Sequence, residues 1–127
     1  MVVVTALVWI KLYADRLSEM REKRINPQSL STARAAAGKL ENTQAADNFR
    51  NLFEVPVLFY VLCIAIAVTG GSTPGALTAA WIFVGLRALH SLIHVSYNRV
   101  THRFLVYAAS TLLLFGMWAV FLQRILQ

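Results

Sequence analysis

The segment VPVLFYVLCIAIAVTGGSTPGALTAAWIFVGL, Val55–Leu86, decides the fold. Two apolar runs flank Gly70-Gly71-Ser72-Thr73-Pro74-Gly75, an uncharged break whose Gly and Pro residues mark a tight turn. Runs of about 20 apolar residues, at ~1.5 Å per residue, match a hydrocarbon core of ~30 Å. The turn therefore joins two membrane spans, expected from about Phe49 to Thr69, with Pro56 in its first turns, and from about Ala76 to Tyr97. Phe104 to about Leu122 forms a further span. At the start of the chain, Val2 to about Ala14 is apolar but contains Lys11, and it reaches only ~20 Å. Leu17 and Met20 extend it as an amphipathic turn. No basic segment precedes it and no small-x-small site follows, so a retained anchor is expected rather than a signal peptide.

Composition agrees. Of 127 residues, 57% are apolar and 14% charged, where a soluble domain has about 45–50% and about 25%. A chain this short cannot hide that excess in one core, because small domains bury proportionately less surface. Disorder is excluded, since disordered chains are poor in apolar residues. Cys63 is the single cysteine, which rules out an internal disulfide and a cysteine metal cage. The expected fold is an all-α integral membrane four-helix bundle, one domain over 1–127, with helices at about 1–20, 47–69, 76–98 and 103–125. The net charge of +6 would raise nucleic acid as a partner in a soluble protein. Here Arg16, Arg21, Lys23, Arg24, Arg34, Lys39 and Arg50 fall in the first connection and Arg99 and Arg103 in the third, while 70–75 carries no charge. Positive-inside bias then places the 15–50 and 98–103 loops in the cytoplasm and both termini outside. Contact with anionic lipid accounts for the cations, and no nucleic-acid partner is expected.

Polar side chains remain at membrane depth. A charge near a helix centre costs at least about 2.5–3.5 kcal/mol, so each such residue is a functional candidate. At ~100° per residue, Asp47, Arg50, Asn51 and Glu54 share one helix face. Arg87, His90, His94, Tyr97 and Asn98 form a second stripe, and Arg103 and Tyr107 lie one turn apart at the start of the last span. Three helices thus turn polar faces inward at one end, which points to a shared cytoplasmic-side site. Plainer roles stand beside this one. Arg87 and Glu54 suit an ion pair between helices, Asp47 and Arg50 suit interfacial positions, and Tyr97 and Tyr107 suit an aromatic belt. No metal is expected: His90 and His94 stand at i, i+4, but no acid lies between them and His102 is the only other histidine. Cys63 reads as a packed core thiol, and Ser91 and Ser110 lack a His-Asp partner arrangement.

Arg50-Asn51-Leu52-Phe53-Glu54 at the opening of an apolar span resembles the second-helix signature of the MAPEG family, the membrane-associated proteins in eicosanoid and glutathione metabolism. Arg87-Ala88-Leu89-His90, then Arg103 and Tyr107, is similar to that family's third- and fourth-helix pattern. The fuller strings AADNFRNLFEVPVLFY and RALHSLIHVSYNRVTHRF look most like bacterial members, and the resemblance covers about residues 5–125. It implies a homotrimer in a bacterial inner membrane, with glutathione as co-substrate in a cleft between subunits near the cytoplasmic face. By matching position it implies Arg50, Asn51, Glu54, His90, Arg103 and Tyr107 as glutathione-site residues, with Arg21 or Arg24 from the first helix. Asp47, Arg87 and His94 join them as binding candidates from their place on the polar faces. Two positions depart from the eicosanoid-forming members: His94 stands where they have Tyr, and Phe104 where they have Ser.

The ligand also fits on chemical grounds. Glutathione carries two carboxylates and an ammonium, so it needs cations and an acid in a confined site. Arginine forks match carboxylates, and Glu54 or Asp47 can receive the ammonium. A thiol of free pKa about 8.5 becomes nucleophilic where a cation favours the thiolate. Arg103, with Tyr107 as second donor, is the catalytic candidate. The expected function is a glutathione-dependent transferase or peroxidase acting on lipophilic electrophiles that arrive through the bilayer. The alternative is a non-catalytic scaffold of the same fold that holds a lipid or protein. A transporter is disfavoured, since no inverted repeat or broken-helix pair is visible.

Overall fold

A computed structural model describes residues 1–127, the side chain of Ala33 excepted. Among the described residues all regular structure is helical: α1 (Val2–Glu22), a 3₁₀ turn (Pro27–Leu30), α2 (Ala33–Lys39), α3 (Gln44–Leu52), α4 (Val55–Val68), α5 (Pro74–Val95) and α6 (Val100–Ile125). Three stretches are long and apolar enough to cross a membrane: Gln44–Val68, which joins α3 to α4, then α5 and α6. At most 28% of the apolar window in each is buried within the chain. Apolar side chains therefore face outward along all three, as lipid requires.

The tight turn forms as the sequence predicts. Gly70, at φ +65°, ends α4 in the left-handed region that favours glycine. The Gly71 amide then reaches back to the Ile66 carbonyl at 2.8 Å, satisfying a carbonyl the helix end would otherwise leave bare. Two residues later the Thr73 hydroxyl caps the Ala76 amide at 3.1 Å, with Pro74 opening α5.

Four expectations change. The first helix extends to Glu22, but it is not among the three membrane-capable ones, because Lys11, Asp15, Arg16 and Glu19 interrupt its apolar run. Lys11 is neutralised along the helix by Asp15, at 2.9 Å. The second span is not one unbroken helix. It breaks at Phe53–Glu54, where Glu54 takes φ −97° and ψ −99°. Pro56 explains the break: it has no amide to donate, and its ring clashes with the carbonyl four residues earlier. The third helix stops at Val95 rather than at 98, and the fourth starts at Val100. Asn98, at φ +46°, turns the chain between them. Lastly, the 3₁₀ turn and α2 fill a connection to which the sequence reading assigns no helix. Thr32 accepting from the Ala35 amide, ahead of an alanine-rich run, is the local signal for α2.

α5 is the central element, packed against α6, α3 and α1, while α4 also leans on α6. Phe59, Leu62, Phe83, Leu114, Met117 and Phe121 form the core, with Phe59 and Phe83 stacked at 4.4 Å. Near the polar end, Asn48 and Ser91 join α3 to α5: the Ser91 hydroxyl donates to Asn48 Oδ1 at 3.2 Å, and both residues are buried.

The long connection is tied back onto α1 by Glu19. Its carboxylate accepts from the backbone amides of Glu41 (2.7 Å) and Asn42 (3.2 Å). Lys23 bridges Glu19 and Glu41 at 2.8 and 2.7 Å. The Glu41 amide, followed by Lys23, holds the Glu19 carboxyl down at about 2. A carboxylate whose pKa falls on folding stabilises the fold above its unfolded value. For Glu19 that contribution is complete above pH ~4.5 and is lost as pH falls through about 2. Glu19→Gln should therefore speed tryptic cleavage after Arg34 near neutral pH. Its melting temperature should also fall less steeply than that of the wild type between pH 4.5 and 2.

Candidate functional site

Arg87 lies halfway along α5 and is wholly buried. Its Nη2 donates to the Asn51 carbonyl at 2.9 Å. That carbonyl belongs to the last turn of α3, where the ladder runs out of amides and a side-chain donor is needed. The guanidinium carbon sits 5.3 Å from the centre of the Tyr107 ring, so the cation also rests on an aromatic face. Nε and Nη1 of Arg87 have no hydrogen-bond partner, and neither do Nδ1 of His90 and Nδ1 of His94.

These groups converge at one end of the molecule. The His90 ring lies 5.8 Å from that of Tyr107 and 5.7 Å from that of His94. Arg103, in the first turn of α6, donates from Nη1 to Asn98 Oδ1 at 2.7 Å. A hollow of about 210 Å³ opens among Asn51, His90, Val100, Arg103, Phe104 and Tyr107. One cation, one amide, one imidazole and one phenol thus share a small volume, with a second cation behind the Tyr107 ring. This set suits an anionic, hydrogen-bonding ligand, and it can stabilise charge that develops on such a ligand.

Of the residues expected to share a site, Asn51, His90, Arg103 and Tyr107 do line one hollow. Arg87 and His94 back it from the buried side of α5. The others point elsewhere in this chain. Arg50 and Asp47 approach each other at 3.7 Å, with Arg50 62% exposed and Asp47 50% exposed. They border a separate small cavity of about 90 Å³ with Leu12 and Arg16. Glu54 is exposed, and the expected Glu54–Arg87 ion pair does not form within the chain. The break at Phe53–Glu54 takes Glu54 out of helical phase with Asn51, and Arg87 takes the backbone carbonyl instead. Arg21 and Arg24 are exposed at the end of α1 and do not line the hollow. Tyr97, placed on the inner stripe by periodicity, lies beyond the end of α5. Its hydroxyl meets His102 Nδ1 at 3.2 Å on the exposed rim.

Asn98 is the residue whose role helical spacing obscured. Counted as a stripe residue, it is a turn residue that presents its side chain to Arg103. Asparagine tolerates the left-handed conformation better than other non-glycine residues. Asn98→Gly keeps that backbone and removes only the acceptor, whereas Asn98→Ala loses both. Asn98→Ala should therefore be about 1 kcal/mol less stable than Asn98→Gly in denaturant unfolding of the detergent-solubilised protein.

A family model, that of the MAPEG family, matches residues 1–123. Neither curated proteins nor solved structures gave a match. The chain belongs to the MAPEG family. With its three apolar helices, it is an integral membrane protein. Membership suggests a glutathione-related transferase, peroxidase or related function in general terms.

Proposed function

We propose that this MAPEG protein is a glutathione-dependent membrane transferase or peroxidase acting on lipophilic electrophiles. The hollow lined by Asn51, His90, Arg103 and Tyr107 carries the reading. It offers a held cation and a phenol at one mouth, where a thiolate and a peptide carboxylate can both be received. Arg103, oriented by Asn98, is the group that favours the thiolate. Tyr107 follows one turn later and can donate to the same sulfur. The thiol releases its proton to water at the cytoplasmic mouth. The sulfur then attacks an electrophile that arrives sideways from the bilayer, forming the new bond to sulfur as the electrophile's leaving group departs with its electron pair.

In this reading the protein is a homotrimer whose clefts lie between subunits. Arg50, Asp47 and Glu54 turn away from their own hollow, and that arrangement favours a shared cleft. A neighbouring copy could then receive Arg50 on a glutathione carboxylate and Glu54 or Asp47 on the ammonium. One of Arg21 and Arg24 would supply a further cation from the first helix. α1 completes four helices per subunit, with the termini outside and the 15–50 and 98–103 loops in the cytoplasm, in a bacterial inner membrane.

Bound glutathione should show ultraviolet thiolate absorbance at a pH where the free tripeptide is mostly thiol. Each unit by which its thiol pKa falls corresponds to about 1.4 kcal/mol. Arg103→Leu should abolish the absorbance while reducing glutathione affinity far less. Loss of thiolate in Tyr107→Phe but not in Arg103→Leu would move the role to Tyr107. Tight binding with no thiolate in the wild type would favour a non-catalytic binding protein.

The shared cleft has its own test. Mixed oligomers of Arg50→Ala and Arg103→Ala subunits should recover activity above either parent, because some clefts escape both defects. Failure to recover in any mixing ratio would place the site within one subunit.

A further inference from the structure

A larger cavity, of about 590 Å³, lies at the opposite end of α6 from the hollow. It falls within the roughly 300–1,000 Å³ of ordinary small-ligand sites. Small residues open it: Gly75, Ala76 and Ala79 on α5 face Gly116 on α6. A Cβ built on Gly75 or on Gly116 would meet no atom within 4 Å, so the space continues past both. The other walls are apolar apart from Thr73, and one cation, Arg124, stands at the end. Its Nη1 donates to the Gly71 carbonyl at 2.6 Å, which fixes the guanidinium over the turn and leaves its other N–H groups available.

Two facts define what fits. The first is length. Leu112 and Arg124 both border the cavity, and twelve residues of α6 at ~1.5 Å span about 18 Å. Half of a hydrocarbon core of ~30 Å is about 15 Å, so the slot runs through one leaflet with Arg124 at headgroup level. The second is charge. All six acidic residues lie between Asp15 and Glu54, and no Asp or Glu follows in the remaining sequence. Among the described residues no carboxylate comes within ion-pair distance of Arg124. Arg124 thus stands without an ionic partner among the described residues, at the depth where lipid phosphates lie.

We propose that the slot between α5 and α6 binds one acyl chain of an anionic phospholipid, whose phosphate is held by the Arg124 guanidinium. The site is independent of the glutathione reading, since it shares no residue with the hollow. Acyl chains are the solvent on this surface, and the guanidinium fork can pair with the phosphate of either headgroup; the choline ammonium beside that phosphate repels the cation, so the net anionic headgroup is favoured.

Melting of the full chain in neutral detergent tests this, with phosphatidylglycerol or phosphatidylcholine of identical acyl chains added. Phosphatidylglycerol should raise the melting temperature of the wild type more than phosphatidylcholine does. In Arg124→Gln the two lipids should act alike, with affinity for phosphatidylglycerol reduced about tenfold. Gly116→Leu fills the slot without a backbone clash and should abolish the response to both lipids while the size in detergent is unchanged. Three outcomes would overturn the proposal. These are equal stabilisation of the wild type by both lipids, stabilisation by a free fatty acid but not by phosphatidylglycerol, and a lipid-insensitive wild type whose oligomer falls apart in Gly116→Leu. The last result would mean that a second copy of the chain fills the slot.

Discussion

The bond from Arg87 to the Asn51 carbonyl is the contact on which the polar end of this molecule depends. An arginine at membrane depth costs about 2.5–3.5 kcal/mol or more on insertion scales. A hydrogen bond from a charged donor returns about 1.5–3 kcal/mol, and an aromatic face about 0.5–2 kcal/mol. The Asn51 carbonyl and the Tyr107 ring are therefore together of the size needed to hold Arg87 without a carboxylate. The carbonyl is available because α3 ends at Leu52, one residue further on. Pro56 thus acts at a distance: by preventing a continuous helix, it exposes the acceptor that seats the most deeply buried charge in the chain.

Seating Arg87 fixes the rest of the polar end by contact. Tyr107 lies against the guanidinium and against His90, so α6 is placed relative to α5. Asn48 and Ser91 hold α3 against α5 one turn away from the same region. Arg103 then enters the hollow from the start of α6, steered by Asn98. Two N–H groups of Arg87 and the Nδ1 atoms of His90 and His94 stay unpaired in this arrangement. Buried polar atoms are almost always satisfied, and this concentration of exceptions in one place supports the proposed site.

What the sequence disclosed, and what it concealed, follows from where helical phase persists. The Gly-Pro turn and the apolar, membrane-capable character of the two stretches beside it are read correctly because composition alone settles them. Within α5, 100° per residue places Arg87, His90 and His94 on one buried face, as the structure does. The same arithmetic fails across Phe53–Glu54, where the phase is lost, so it places Glu54 on a face that residue does not share. It fails again at Asn98, which lies beyond the end of α5. The first helix is a different case. Hydropathy averaged over α1 is lowered by Lys11, Asp15 and Arg16, yet the Lys11–Asp15 pair offsets part of that polarity in a way no average registers.

The distribution of charge makes the two ends of the molecule unlike. All six acids fall between Asp15 and Glu54, and four of them serve ion pairs there: Asp15 with Lys11, Glu19 and Glu41 with Lys23, Asp47 with Arg50. The cations after Glu54 therefore have no acid nearby in sequence, and each is handled in another way. Arg99 is exposed, while Arg87 uses a carbonyl and a ring, Arg103 uses an asparagine amide, and Arg124 uses the Gly71 carbonyl. Neutral acceptors position a guanidinium without cancelling its charge. A carboxylate partner would have done both, and would have closed the site to an anion. Holding arginines by neutral oxygens keeps both ends of α6 electropositive, one at a polar hollow and the other at an apolar slot.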